Sequence, residues 1–430
     1  MKKVLVITYY WPPSGGAGVQ RWLKFVKYLP EFQIEPIVLT VDENEASYAL
    51  VDHKLTQEIS PSLRIVKTKT FEPFEIYKKI SGKKEIPFGG FANEGKAGFK
   101  SNFFRFIRGN LFIPDARRGW NKYVIKKASE IIVNEGIDTV ITTSPPHSTQ
   151  LVGLYLKKKF NINWIADMRD PWTDIYFYKE LNHTAIARKI DAAFEKKVLL
   201  NADKVIVVSE DIKRIFTEKD KKIDPLNIVV IPNGFDAEDF TAGQKEDNEY
   251  FTIAYTGSMT LKYRPQAFFK AIKNLADSTN GKIKFILAGS PDPDVVEEAE
   301  KAGIKSITEF KGYISHSGSI EIMHKAAVLF LSIPDVENNK GILTGKLFEY
   351  LASQRPIICT APKNGDAAKI INDCDAGEVV DYDEQKKMEQ LLQKHYQYWL
   401  LKSGGETRKQ HYLKFSRKNL TASLAKIIKK

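Results

Sequence analysis

The chain has 430 residues, of which 43% are hydrophobic and 27% charged, and its formal net charge is +12 at neutral pH. This length is sufficient for two domains, and the composition is that of an ordinary globular protein rather than a disordered or membrane-spanning one. Two cysteines are too few for a disulfide framework or a four-cysteine zinc site, and the positive charge indicates an anionic partner such as nucleic acid, anionic lipid or a sugar diphosphate.

The N-terminal segment MKKVLVITYYW is basic and then apolar, as a secretory signal is, but no small-residue cleavage site follows it. We therefore interpret it as a first buried strand. The loop after it, PPSGGAG, leads into an amphipathic helix. Glycine lets a backbone approach a ligand closely and a helix start offers N–H groups to an anion, so Gly15 and Gly16 are candidate phosphate contacts. A plain tight turn is the alternative, and a dinucleotide fingerprint fits incompletely because Arg21 holds its third glycine position.

Apolar segments rich in valine and isoleucine alternate with amphipathic segments along the chain. Near-continuous apolar strands predict parallel sheets covered on both faces, which is the doubly wound α/β architecture. A polar seam at residues 241–250 divides two such series. We predict an N-terminal domain over residues 1–240, a C-terminal domain over 241–414, and a helix at about 415–430 that packs back on the first domain. Ligands in such sheets bind beyond the carboxyl ends of the strands, which predicts a site in the cleft between the domains.

Residues 96–127 contain nine basic residues and one acidic residue, Asp115. Phenylalanines interleave with the cations here, which suits a membrane interface that carries anionic lipid. The same pattern also suits stacking on single-stranded nucleic acid, or a core helix with a basic outer face. The side chains assigned to an acceptor or membrane surface are Phe99, Lys100, Phe103, Phe104, Arg105 and Arg108.

Two polar segments follow strands in the first domain. His147, in SPPHSTQ, precedes a helix that Ser148 is placed to cap, and the helix start favours a neutral imidazole able to bond a hydroxyl. A surface-loop histidine is the alternative. In WIADMRDPW, the residues Asp167, Arg169 and Asp170 cluster at a strand end, where a carboxylate would orient a sugar hydroxyl. A structural ion pair between Arg169 and the aspartates is equally compatible with this cluster.

The segment GILTGKLFE, residues 341–349, is the most informative. Lys346 and Glu349 are three residues apart near the start of a helix and so share one face. The helix dipole disfavours a cation there, which makes sense if Lys346 binds an anion. Glu349, one turn further on, is placed to accept bonds from two ribose hydroxyls. A surface ion pair between the two residues is the alternative.

Over nearly its whole length the sequence resembles the retaining GT-B glycosyltransferases of family four. The segments IPNGFD at 231–236, FKGYI at 310–314 and GKLFEYLASQRPII at 345–358 occur in the family's order and spacing. The resemblance implies two Rossmann-like domains that face each other across a cleft. It also implies that the nucleotide base contacts the backbone near Tyr313 and Ile314.

Two positions depart from the family's pattern: Gly341 replaces the first of two donor-region glutamates, and Ser258 replaces the arginine of a Gly-Arg pair. A subgroup that acts on lipid-linked precursors shows similar changes, so the phosphate role passes to Arg264 and Lys346. Backbone amides near residues 343 and 344 then serve the sugar. The donor-binding set is Gly15, Gly16, Gly257, Lys262, Gly289, Tyr313, Ile314, Leu343, Thr344 and Glu349, and the catalytic set is His147, Asp170, Lys346 and Arg264.

The resemblance implies transfer of a sugar from a nucleotide diphosphate sugar to a lipid-linked or polysaccharide acceptor, with retention of configuration. We expect no metal and no other cofactor, because the Asp-x-Asp pattern at 292–294 opens a helix as capping aspartates do. We expect a cytoplasmic enzyme, peripheral on the inner face of the membrane, and no nucleic-acid partner. A GT-B-fold sugar-nucleotide epimerase and a nucleic-acid-binding module are the alternatives.

Overall fold

The computed structural model describes residues 1–72, 99–240, 249–279, 282–401 and 410–430, with backbone alone at residues 17 and 99–104. The chain divides into two compact units. Unit 1 consists of Met1–Pro232 and Thr421–Lys430, and unit 2 of Asn233–Leu420. No helix in the described ranges has both the length and the apolar character required to cross a membrane.

Unit 1 is built on one seven-stranded parallel sheet. Its strands are β1 (Lys2–Ile7), β2 (Ile34–Val41), β3 (Arg64–Thr68), β4 (Thr139–Ser144), β5 (Asn163–Met168), β6 (Lys204–Val207) and β7 (Ile228–Val230). They lie in the order β3-β2-β1-β4-β5-β6-β7, and every pairing is parallel. Its helices are α1 (Ala17–Tyr28), α2 (Phe99–Leu111), α3 (Asn121–Glu135), α4 (Ser148–Phe160), α5 (Ala185–Asn201) and α6 (Glu210–Glu218).

Unit 2 repeats this architecture with six strands. They are β8 (Phe251–Thr256), β9 (Ile283–Ala288), β10 (Thr308–Gly312), β11 (Val328–Ser332), β12 (Ile357–Thr360) and β13 (Gly377–Val380). The order is β10-β9-β8-β11-β12-β13, again all parallel. Its helices are α7 (Gln266–Ser278), α8 (Pro293–Lys301), α9 (His316–Lys325), α10 (Gly345–Ser353), α11 (Asp366–Asp373) and α12 (Gln385–Leu400). A last helix, α13 (Arg417–Lys429), starts in unit 2, and its residues from Thr421 onward group with unit 1.

Both faces of each sheet are buried, which explains the continuous apolar strands of the sequence. All six residues of β4 and of β8 are buried. Alternate residues of a strand point to opposite faces, so Ile253 and Tyr255 pack in one hydrophobic cluster while Ala254 packs in another. The predicted fold class, two doubly wound Rossmann-like domains, is confirmed.

The strand order of each sheet reverses between two central neighbours, β1 and β4 in unit 1 and β8 and β11 in unit 2. Loops that leave such neighbours at their carboxyl ends turn to opposite faces of the sheet and open a crevice between them. This switch point is where ligands bind in open α/β sheets. Each unit therefore has a defined location at which to look for a site.

Candidate functional site

Lys346 lies at the switch point of unit 2, as the second residue of α10. Its Nζ is 2.5 Å from the hydroxyl of Tyr255 and 4.0 Å from the centroid of the same ring, and it is 5.4 Å from the centroid of Tyr263. It also lies against the end of β8, because a Cβ atom added to Gly257 would be 3.4 Å from Nζ. Lys346 and Gly257, which the sequence assigns separately to the donor site, are thus brought together by the structure.

The environment of Lys346 suits an anion. Among the described residues its ammonium forms no ion pair. Burial lowers the pKa of Lys346 to about 7, and the charge of Glu349 opposes this shift only in part. A cation held among aromatic rings with no carboxylate bonded to it lacks the counter-charge that a phosphate would supply.

The start of α10 adds further donors. Thr344 occupies the N-cap position without forming a side-chain cap, and its buried hydroxyl has no hydrogen-bond partner within the described ranges. The first N–H groups of a helix have no partner inside the helix and carry its positive dipole end. Leu343, just before the cap, is buried. The loop predicted to bind the donor sugar therefore lies beside Lys346, and its Thr344 hydroxyl is available to hydrogen-bond a ligand.

Glu349 lies one turn along α10, and its Oε1 is 3.2 Å from Nε2 of His316, the first residue of α9. In the described part of the chain no ion pair joins Glu349 to Lys346, so the surface-pair alternative does not form. The ribose role of Glu349 stays a prediction. His316 was not identified from the sequence, where it has no local relation to Glu349, 33 residues away.

The loops after β8, β9 and β10 converge tightly. The N–H of Gly257 donates to the carbonyl of Ala288 at 2.6 Å, and a Cβ on Gly289 would fall 2.2 Å from the carbonyl oxygen of Gly257. Both glycines also have positive φ, +101° and +148°, so no other residue fits this approach without strain. Tyr313 follows β10 and is 75% exposed, and Ile314 is half-buried beside it.

Arg264 and Lys262 lie on the turn after β8, before α7. The Arg264 guanidinium forms ion pairs with Asp335, at 2.9 Å, and with Asp383, and its side chain is 40% exposed. The carbonyl of Lys262 accepts a hydrogen bond from the N–H of Asp335 at 2.7 Å. Arg264 is thus engaged by carboxylates rather than aimed at Lys346, and its phosphate role stays a prediction.

The Asp-x-Asp pattern lies at the start of α8, as expected. Asp292 is the N-cap residue and Asp294 falls in the first turn, although Asp292 makes no side-chain cap bond. The described ranges contain no group of three or more His, Cys, Asp or Glu side chains arranged to hold a metal ion.

His147 lies at the switch point of unit 1, between β4 and α4. Its ring stacks on Trp172 at 4.7 Å between centroids, with 12° between the planes. Burial, assisted by the charge of Arg169, lowers the pKa of His147 to about 3, which favours the neutral imidazole. Nδ1 is buried with no hydrogen-bond partner among the described residues. Trp172 is itself held by a bond from Nε1 to Asp191 at 2.9 Å.

The predicted cap of α4 by Ser148 is wrong. The N–H and the hydroxyl of Ser148 both donate to the carboxylate of Asp115, at 2.7 and 2.8 Å. Asp115 therefore caps the helix from a distant part of the chain, because a carboxylate is a stronger hydrogen-bond acceptor than a hydroxyl. Burial raises the pKa of Asp115, while these bonds act in the opposite direction.

The cluster at the end of β5 contains an ion pair, but not the predicted one. Asp167 pairs with Arg21, at 2.8 Å, and both side chains are fully buried. Arg169 instead donates to the carbonyls of Ser144 at 2.8 Å and Gly18 at 2.6 Å, and it forms no ion pair within the described ranges. The structural ion pair at this strand end therefore forms with a partner other than Arg169: the counter-ion of Asp167 is Arg21, the residue that breaks the dinucleotide fingerprint.

Asp170 differs from Asp167. Its carboxylate accepts no hydrogen bond from any described residue. Burial raises the pKa of Asp170, the charge of Arg169 opposes the shift and the charge of Asp167 adds to it. A partly buried carboxyl group without a protein partner at a strand end is available to a ligand hydroxyl.

The glycine loop after β1 requires one correction. The N–H of Gly15 already donates to the carbonyl of Leu50 at 2.9 Å, so this amide is not available to a donor phosphate. Gly16 is exposed, has φ of +101° and forms the N-cap of α1 without a side-chain bond. The predicted backbone contact therefore stays a prediction for Gly16 alone.

The basic and aromatic segment forms α2. The side chains of Phe99, Lys100, Phe103 and Phe104 lie outside the described residues. Arg105 pairs with Glu180 at 4.0 Å, and Arg108 lies in the last turn of the helix. The remaining large apolar side chains of α2 are partly exposed, with Phe106 at 44% and Leu111 at 73%.

Comparison with known proteins gives matches over both units. The family model described as Glycosyltransferase Family 4 matches residues 90–239, and that described as Glycosyl transferases group 1 matches residues 250–397. A search of curated proteins found no match. The first matched segment contains strands β4 to β7 of unit 1, and the second contains all six strands of the sheet of unit 2.

Solved structures match over the full chain. A sucrose-phosphate synthase from Thermosynechococcus elongatus is 14% identical, with a TM-score of 0.63, covering 100% of this chain and 98% of that one. A glycosyltransferase from Rickettsia africae ESF-5 is 16% identical, with a TM-score of 0.61 and coverage of 100% and 98%. Anabaena HepE in complex with UDP and glucose is 12% identical, with a TM-score of 0.62 and coverage of 100% of both chains. At these identities the likeness concerns the fold, and the predicted GT-B fold is confirmed.

Proposed function

We propose that this chain, a GT-B-fold glycosyltransferase with a family 4 domain, transfers a sugar from a nucleoside diphosphate sugar to a lipid-linked or polysaccharide acceptor with retention of configuration. The observation that carries the donor half is Lys346, a partly buried cation without an ion-pair partner among the described residues, at the start of α10 and against Gly257. The complex of Anabaena HepE with UDP and glucose supports a nucleotide-sugar donor, because that protein has the same fold.

The diphosphate is the leaving group, and its negative charge grows as the glycosidic bond breaks. Positive groups fixed in advance around that charge lower the barrier, since they need no reorganisation during the reaction. Lys346 supplies an ammonium group, whose charged form a nearby phosphate favours, and the first N–H groups of α10 supply the dipole end of a helix. We propose that these groups neutralise the diphosphate without a metal ion, while Glu349 binds the ribose.

The residues of unit 1 would serve the transferred sugar and the acceptor. The neutral imidazole of His147 can donate a hydrogen bond to a hydroxyl or accept one from it. The carboxyl group of Asp170 accepts no hydrogen bond from any described residue. Neither needs to act as a nucleophile. We propose that both orient sugar hydroxyls, and that His147 is held for this purpose by its stacking on Trp172.

A thermal-shift series tests the donor half of the proposal. A ligand that binds only the folded protein raises its melting temperature as its concentration rises. We expect one nucleoside diphosphate among UDP, GDP and ADP to raise the melting temperature, and its sugar conjugate to be consumed only when acceptor is present. Consumption without acceptor to give an epimer would contradict the transferase assignment, and no shift with any of the three would contradict the donor site.

The outward face of α5 supports a membrane-bound acceptor. Ile186 and Ile190, one turn apart, are 72% and 41% exposed, with exposed Arg188 and Lys189 between them. The two acidic residues of the helix, Asp191 and Glu195, are buried, so this face shows cations and apolar side chains alone. A second copy of the chain would set cation against cation, whereas anionic lipid complements both features. We propose that the enzyme works at the cytoplasmic face of the membrane.

Liposome flotation tests this surface. We expect Ile186→Glu/Ile190→Glu to lower binding to vesicles of phosphatidylglycerol and phosphatidylcholine at least about tenfold, because each exposed isoleucine gains roughly 1.5 kcal/mol or more on insertion. The matched control is Val133→Glu on α3, where the apolar side chain is 66% exposed, and it should bind as the wild type does. Equal binding of the double variant and the control would refute the α5 surface while leaving nucleotide binding intact.

A further inference from the structure

Tyr255 is a buried residue of β8, two positions before Gly257. Its hydroxyl accepts a hydrogen bond from Nζ of Lys346 at 2.5 Å and donates one to the backbone carbonyl of Ser258 at 2.7 Å. A phenol has one proton to donate, so the bond to Ser258 directs its lone pairs toward Lys346. Burial raises the pKa of Tyr255 well above its ordinary value, which keeps this proton on the hydroxyl at neutral pH.

The same side chain acts on Lys346 a second time through its ring. The ammonium lies 4.0 Å from the ring centroid, within the range of a cation–π interaction. On another side Nζ lies beside the backbone of Gly257, where an added Cβ would be 3.4 Å away. A lysine side chain has four rotatable bonds and costs free energy to immobilise. The contacts of Tyr255 restrict that freedom in the unliganded protein.

One of the three N–H bonds of Lys346 is used by Tyr255, which leaves two for a ligand. Ser258, which follows Gly257 in the loop after β8, has an uncharged side chain and therefore adds no second cation. Its carbonyl accepts the hydrogen bond of Tyr255. The hydrogen bonds that hold this ammonium therefore form one chain, from Lys346 to Tyr255 to the Ser258 carbonyl.

We propose that Tyr255 is the positioning residue for Lys346 and fixes the ammonium where the diphosphate of the donor binds. The inference rests on the donor role proposed above for Lys346. Tyr255 acts through Lys346 and does not itself touch the donor. The diphosphate is more negative in the transition state than in the bound donor, so a misplaced ammonium is expected to lower turnover more than donor binding.

A double-mutant cycle tests this role. Tyr255→Phe keeps the ring and removes the hydroxyl, and we expect it to lower kcat about tenfold, the scale of one hydrogen bond to a charged group. In a Lys346→Ala background the same substitution should have no further effect, because the group that it positions is gone. Donor KM should change less than kcat.

The matched control is Tyr350→Phe. Tyr350 is also fully buried, and its hydroxyl bonds the N–H and hydroxyl of Thr256, at 2.9 and 3.2 Å, rather than Lys346. Any loss that it causes should multiply with that of Lys346→Ala. A factor for Tyr255→Phe that is equal in both backgrounds, or no loss in the wild-type background, would overturn the proposal.

A second readout is the pH dependence of binding of the nucleoside diphosphate. Removing the hydroxyl withdraws a bond from the charged form of Lys346, so the alkaline loss of affinity should begin at lower pH in Tyr255→Phe than in the wild type. An unchanged profile would contradict the positioning role. Normal turnover of Lys346→Ala would instead refute the donor role itself, so the two failures are distinguishable.

Discussion

Replacing Lys346 with alanine is expected to lower kcat about a hundredfold, the loss seen when one fixed donor to a developing negative charge is removed. The substitution takes away the ammonium that the structure places against Gly257. The effect should exceed any change in donor KM, because the leaving diphosphate is more negative in the transition state than in the bound donor. Initial rates at saturating donor and acceptor measure it.

The control is Lys340→Ala, which removes an exposed lysine six positions upstream in the same connection and should leave kcat unchanged. The pH dependence gives a second check. Burial lowers the pKa of Lys346 to about 7, so the charged fraction falls above that pH, up to about tenfold per unit. A terminal phosphate, whose last pKa is near 6, is mostly ionised at pH 7 and changes little in charge above it. Its affinity should therefore fall from about pH 7 upward in the wild type and stay flat in Lys346→Ala, and a near-normal kcat of that variant would refute the assignment.

The parts of the site that the sequence predicts are those set by local periodicity. Continuous apolar strands occur because both faces of each sheet are buried, so β1 and β11 are visible as the apolar segments VLVI and VLFLS. The placement of Lys346 and Glu349 follows from a helix that starts at Gly345. Spacing along one helix is fixed by the helix itself and needs no knowledge of the tertiary fold.

The partners of these residues could not be predicted, because packing brings them together across the chain. Tyr255 meets Lys346 across 91 residues, and His316 meets Glu349 across 33. One hint existed: a tyrosine in a fully buried strand must find a partner for its hydroxyl. The sequence does not say which partner this is. Tyr255 on β8 meets Lys346 on α10 because β8 lies next to β11, the strand that precedes α10.

Two of the wrong details, those at Ser148 and Arg169, have the same cause. Ser148 stands where a capping residue is expected, yet Asp115 reaches the helix start from 33 residues away. Arg169 stands two residues from Asp167, yet its guanidinium turns to backbone carbonyls and leaves Asp167 to Arg21. Local sequence patterns indicate which group needs a partner. Tertiary packing determines which of several chemically suitable groups lies close enough to bond it.

The pair of Asp167 and Arg21 leads to the second large prediction, which concerns stability. Asp167 accepts two bonds from Arg21, at 2.8 and 3.2 Å, one from Trp22 at 2.7 Å and one from Thr143 at 2.9 Å. Burial opposes its ionisation, but the charge and bonds of Arg21 hold the pKa of Asp167 below its usual value. Asp167→Ala is expected to lower the free energy of unfolding by about 3–5 kcal/mol, because it leaves the guanidinium of Arg21 buried without its counter-charge.

Denaturant unfolding followed by tryptophan fluorescence measures this loss, since five of the six tryptophans lie in unit 1 with Asp167. The control is Glu218→Ala in the same unit, which breaks the exposed pair of Glu218 with Arg214 and should cost less than about 1 kcal/mol. Arg21→Met/Asp167→Leu should recover much of the loss, because replacing both charges with apolar side chains removes the unpaired group. A loss in Asp167→Ala no larger than that of the control would mean that the pair is dispensable. If the loss has the expected size and the double replacement restores stability, the destabilisation comes from the unpaired charge of Arg21. That charge is costly because the Arg21 side chain is fully buried where α1 packs on β5, and no contact with a substrate is involved.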